Sequence, residues 1–108
     1  MSIATEIVTM KITPDITKEM FLSIVDQLER NFHSKQIGFI DTELLYDDES
    51  GDWTMVQHWE TMDQLKTASE KMFQDAEAAA FVKALNPASV KMSILPQSRC
   101  GVNSNEKI

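Results

Sequence analysis

One cysteine, three glycines, three prolines and two histidines among 108 residues each close off a class of protein. The lone Cys100 can form no intramolecular disulfide, which fits a reducing compartment, and its polar surroundings read as those of an incidental thiol. Three glycines are too few for a phosphate-cradling loop, and no Gly-x-Ser-x-Gly elbow is present, so nucleotide-binding and hydrolase readings lose their footing. Basic residues are also scarce: ten Lys and Arg against 17 Asp and Glu give a net charge of −7 at pH 7. Nucleic acid and anionic membranes are held by clustered Lys and Arg, so neither is an expected partner. No run approaches the roughly 18 apolar residues that span a bilayer. Residues Met1 to Glu6 lack the basic and apolar regions of a signal peptide, and a cytoplasmic location is expected.

What remains is an ordinary globular composition, 43% hydrophobic and 25% charged, of a size for one domain. Ile3 to Ile12 alternates Ala4, Glu6, Val8, Met10 and Ile12 against Ile3, Thr5, Ile7 and Thr9, the period-two pattern of a strand, and Pro14 closes it. The period then changes. Met20, Phe21, Ile24, Val25, Leu28 and Phe32 form one helical stripe behind a Thr17 N-cap. After Gly38, strands over Phe39 to Tyr46 and Trp53 to Trp59 flank the polar turn Asp47 to Asp52. Thr61 with Gln64 reads as a capping box for a second helical region carrying Leu65, Ala68, Met72, Phe73 and Leu85, long enough to be broken. Asn86-Pro87 stops it, Val90 to Leu95 is a last short strand, and residues 96–108 form a polar C-terminal tail after a domain of residues 1–95.

The order β-α-β-β-α-β is the ferredoxin-like arrangement of the α+β class, two helices against one face of a four-stranded antiparallel sheet. Strand alternation puts Phe39 and Leu45 on one side of the second strand and Ile40, Leu44 and Tyr46 on the other, and sets Trp53, Met55 and Trp59 opposite Val56. Both faces therefore want cover. A second copy packed sheet to sheet would give it, and a homodimer is expected; a monomer with an amphipathic sheet is the other reading.

Few side chains stand in a pattern that carries chemistry. His33 and His58 share no metal-ligand spacing with cysteine or carboxylates, and the acidic run Asp47 to Asp52 lacks the alternation of a calcium loop, so no metal site is expected. The exit of the third strand, Gln57-His58-Trp59-Glu60-Thr61, is the candidate segment. Trp59 either walls a pocket or closes the helix–sheet seam as a core residue. His58 either carries protons near neutral pH or sits on a surface or interface, on the face opposite Trp59.

The stretch Val56-Gln57-His58-Trp59-Glu60-Thr61-Met62-Asp63-Gln64-Leu65, within the same strand and helix layout over residues 3–95, resembles the antibiotic biosynthesis monooxygenase family. Gln57 and Thr61 stand where that family usually has Glu and Ser. The resemblance implies a dimeric α+β barrel, and a pocket between sheet and helices in which some members oxidise phenols or quinols with molecular oxygen and neither metal nor flavin. No cofactor is expected. Haem degradation is not expected either, because Thr5, Ile7 and Thr9 offer no asparagine in the first strand and the helix after Trp59 has no histidine. Two functions stand side by side: a cofactor-free oxygenase acting on a small aromatic compound in a pocket of Phe21, Tyr46, Trp59, Met72 and Phe73 with Trp59 and His58 as candidate catalytic residues, and a non-catalytic binding or structural homodimer of the same fold.

Overall fold

A computed structural model describes residues 2–99. The strands are β1 (Ala4–Met10), β2 (Phe39–Asp47), β3 (Asp52–Trp59) and β4 (Lys91–Pro96). The helices are α1 (Lys18–Asn31), α2 (Met62–Met72) and α3 (Ala79–Ala84). All strand pairs are antiparallel, in the order β2-β3-β1-β4, which is the ferredoxin-like topology read from the chain. Among the described residues no helix is long and apolar enough to cross a membrane.

Local chemistry sets the boundaries. Thr17 Oγ1 accepts from Met20 N at 3.1 Å, and Thr61 Oγ1 accepts from Gln64 N at 3.1 Å, so both expected N-caps form. The capping box is only half made, because Gln64 Oε1 is buried without a hydrogen-bond partner. The second helical region does break. After Met72 the chain leaves the helix, Asp75 caps a short turn over Ala76–Ala78 by accepting from Glu77 N, and α3 begins at Ala79. Strand pairing runs past the expected domain end at Leu95: Pro96 pairs with Ala4, and Gln97 N donates to Ile3 O at 2.6 Å. Cys100 and the rest of the expected tail lie outside the described residues.

Residues of one parity, Ala4, Glu6, Val8 and Met10 on β1 and Trp53, Met55, Gln57 and Trp59 on β3, are buried under the helices. The main core joins Val8, Met10, Trp53 and Met55 to Phe21, Val25, Leu28 and Phe32 of the α1 region and to Ala78 and Phe81. A smaller cluster holds Trp59 with Ala4, Leu65 and Ala68.

The open sheet face corrects the expected distribution of side chains on β2. A register shift between Phe39 and Asp41 turns Phe39 to the helix side, opposite Trp59, together with Leu44 opposite Met55 and Tyr46 opposite Trp53. All the strand aromatics thereby lie under the helices. The open face carries Ile7, Val56, Leu45 and Leu95 among Thr5, Thr9, Thr54 and Ser93, with Glu43 opposite Val56, Lys91 opposite Thr9, and His58 and Asp41 paired near one end.

Candidate functional site

Where the second helical region breaks, the sheet is left partly uncovered and a cavity of about 280 Å³ opens. Its floor is Glu6, Val8, Met55, Gln57 and Met92; α2 contributes Ser69 and Met72, followed by Phe73, and α3 contributes Phe81 and Val82. The break therefore makes the site: an unbroken helix would carry its apolar stripe on over Val8 and Met55. The lining is almost wholly apolar, and Met55, Met72 and Met92 give it the polarizable, adaptable surface on which aromatic rings pack well. An apolar cavity of about 150 Å³ suffices for benzene, so this one suits roughly a two-ring compound.

Glu6, His33 and Gln57 are the buried polar or charged side chains among the described residues, and they are neighbours. Glu6 and Gln57 face each other across β1 and β3. Gln57 Oε1 accepts from Trp59 Nε1 at 3.4 Å, and Gln57 Nε2 donates to Thr42 Oγ1 at 3.0 Å. The same nitrogen lies 3.2 Å from both ring nitrogens of His33. An atom equidistant from both in the ring plane would collide with Cε1, so the amide rests over the imidazole face. His33 follows the C-terminal end of α1, and its Nδ1 is hydrogen bonded to the Glu29 carboxylate one turn earlier. Phe32, Phe39 and Trp59 box the ring in.

Gln57 thus spends its amide on Trp59, Thr42 and His33. Glu6 is left as the carboxyl group of the cavity, touched by Ser69 Oγ at 3.5 Å. Loss of hydration raises its pKa above the ordinary 4.5, and the opposing influence of His33 and Ser69 offsets this only in part. A raised value in the folded state means that neutral Glu6 favours folding: the contribution is complete below pH 4.5 and is lost as pH rises through the folded-state value. Glu6→Gln is accordingly expected to raise the thermal midpoint at pH 8, because the amide has no charge to desolvate. The gain should vanish below pH 4.5 in calorimetry across the pH range; equal midpoints at pH 8 would contradict the assignment.

Met72 and Phe73 are on the cavity wall. Trp59 stands one layer behind, 2% exposed, and reaches the cavity only through Gln57. Phe21 is buried in the main core, 4.8 Å from the ring of Trp53 and 5.9 Å from that of Phe81. Tyr46 packs on Trp53 near the hairpin, with the Lys18 ammonium over its ring. His58 occupies the open sheet face, where Nδ1 is 2.6 Å from Asp41 Oδ1. Sequence reasoning missed Glu6, and its signal was present: one carboxylate within the buried parity Ala4, Val8, Met10. Gln57, between Met55 and Trp59, carries the same signal. The described residues contain no cluster of three His, Cys, Asp or Glu placed to hold a metal ion.

No family model matches the chain, and no curated protein matches its sequence. Solved structures do. The chain is similar to SnoaB, a cofactor-independent oxygenase from Streptomyces nogalater, with a TM-score of 0.75, 15% identity, and coverage of 96% of this chain and 100% of that one. A candidate antibiotic biosynthesis monooxygenase from Caulobacter crescentus CB15 gives 0.71 at 17% identity, covering 91% and 92% of the two chains. Another from Chloroflexus aurantiacus J-10-fl gives 0.67 at 12% identity, covering 94% and 98%. At these identities the likeness establishes a shared fold.

Proposed function

From the antibiotic biosynthesis monooxygenase-type fold that this chain has, we propose that it is a cofactor-independent oxygenase of a small phenol or quinol bound between the sheet and helices α2 and α3. The observation that carries this reading is one buried carboxyl group in an otherwise apolar, methionine-rich cavity sized for about two rings. An electron-rich phenolate can itself reduce oxygen, so the protein need only exclude water, orient the ring and assist loss of the hydroxyl proton. With no other reductant, the substrate supplies every electron. A phenol with a free para position then becomes a para-quinone, one oxygen atom entering as the carbonyl and the other leaving as water. In this reading Trp59 acts from behind, holding Gln57.

1-Naphthol fits the size and the stoichiometry, giving 1,4-naphthoquinone and water. Oxygen uptake with a panel of one- to three-ring phenols should peak at two rings and produce quinone in equal amount. Val82→Phe, which fills the cavity from α3, should abolish uptake in a folded protein. A rise in melting temperature with these compounds and no uptake would instead mark a binding protein.

We also propose that a second copy covers the open sheet face, because Ile7, Val56, Leu45 and Leu95 lie on four adjacent strands of that face. Sedimentation velocity should give twice the 12.3 kDa chain mass, and Val56→Lys, at the centre of the face, should return the single-chain mass. A wild-type monomer at tens of micromolar would refute the pairing.

A further inference from the structure

Among the described residues the buried polar side chains lie together: Gln57 is opposite Glu6 across β1 and β3, its amide rests on His33, and His33 is hydrogen bonded to the partly exposed Glu29. Burying a carboxyl group, an imidazole and a primary amide in one place costs free energy that apolar residues of the same shape would not incur, so the arrangement asks for a use. The parts differ in what they can do. Gln57 has its oxygen and nitrogen engaged by Trp59, Thr42 and His33, and an amide does not titrate in this range. His33 is shut in by three aromatic rings and does not line the cavity. Glu6 does line it.

We infer that Glu6 is the proton acceptor for a phenolic ligand in this cavity, and that His33, clamped by Glu29 behind Gln57, is the positioning residue that keeps the Glu6 carboxylate available. This rests on the phenol-oxidase reading of the site. In the step, the ligand O–H bond breaks, an O–H bond forms on a Glu6 carboxylate oxygen, and the electron pair stays on the ligand as phenolate. The direction of charge transfer is consistent with the surroundings. His33 is the titratable group that acts on Glu6, and it acts to favour the ionised carboxyl; Ser69 from α2 adds a hydrogen bond, and Gln57 from β3 and Ile94 opposite on β4 bring no charge. Glu29 in turn holds the imidazole in place through its hydrogen bond to Nδ1. His58, the other histidine, is on the far side of the sheet.

The test is carboxyl carbon NMR of Glu6 in the intact protein, for wild type, His33→Phe and Glu29→Gln. Phenylalanine keeps a ring in the aromatic box and removes the titratable group; Glu29→Gln, at a site with 24% side-chain exposure, leaves the box untouched. Both variants should move the Glu6 titration midpoint upward, His33→Phe more so. Unmoved midpoints in both would overturn the positioning role whatever the turnover. Under nitrogen, saturating 1-naphthol should lower the wild-type midpoint while its methyl ether, with no proton to give, should not. Identical midpoints with the two ligands would overturn Glu6 as the acceptor. In air, the acid limb of kcat/KM should follow the NMR midpoint in each variant, and Glu6→Gln should lose about a hundredfold or more, the usual reach of a general base. Should no phenol be turned over, the oxygenase reading fails alone, and the nitrogen experiment still decides what Glu6 does.

Discussion

Gly38→Ala is expected to destabilise the fold by about 3 kcal/mol, roughly 12 °C or more in thermal midpoint. Two independent penalties add there. Gly38 has φ of +89°, where a residue with a Cβ costs about 1–2 kcal/mol. A Cβ built on it would also lie 2.0 Å from Gln64 Oε1, 2.4 Å from its Cδ and 2.9 Å from its Cβ, so the Gln64 side chain must swing out of its buried place and the first turn of α2 must give slightly. Movement is constrained because Gly38 O accepts from Glu60 N at 2.7 Å and Thr61 caps the same turn. The two penalties separate in a double-mutant cycle. Gln64→Ala alone should be nearly neutral, since its buried oxygen has no hydrogen-bond partner to lose. Combined with Gly38→Ala it should recover the part of the steric penalty due to Oε1 and Cδ and leave the backbone part together with the 2.9 Å Cβ contact. A Gly38→Ala protein that unfolds in urea at the wild-type midpoint would show that neither contact exists.

Trp59→Ala is expected to cost about 3–5 kcal/mol, as the largest of the fully buried side chains leaves a cavity between β3 and α2. Ala4 and Ala68 are the small residues that make room for the indole, and neither can close the gap. Phe39, at 5.3 Å, and His33, at 6.1 Å, would also lose their edge-to-face partner. Trp59→Phe separates packing from hydrogen bonding. It keeps most of the ring but removes the Nε1 donor to Gln57 Oε1, leaving that buried acceptor unpaired at about 1–2 kcal/mol. Urea unfolding with a common m-value reads both. A Trp59→Ala cost under about 1 kcal/mol would remove this residue from the core.

Much of the architecture is legible along the chain because local rules act strongly where side-chain period and capping agree. Thr17 and Thr61 cap where hydroxyl residues precede apolar periodicity, and the hairpin closes at Gly51, whose φ is +77°. His58 faces away from Trp59 because a regular strand alternates. The register shift after Phe39 was not legible. It depends on which of two pairings buries more aromatic surface against Trp59 and Trp53, a comparison made between strands rather than along one.

The ferredoxin-like order and the cap positions can be read along the chain, since each follows from neighbours within a few residues, whereas the buried parity of β1 cannot, because both of its faces carry apolar side chains. The meeting of the buried polar residues is visible in the folded chain alone. Glu6, Glu29, His33 and Gln57 lie up to 51 positions apart, and no local pattern states that they meet. Their meeting, and the cavity beside them, depend on where α1 ends against the sheet and where the second helical region breaks. Those placements are fixed by packing of the whole core, in which burial of apolar surface is non-directional and takes the polar side chains wherever the strands carry them.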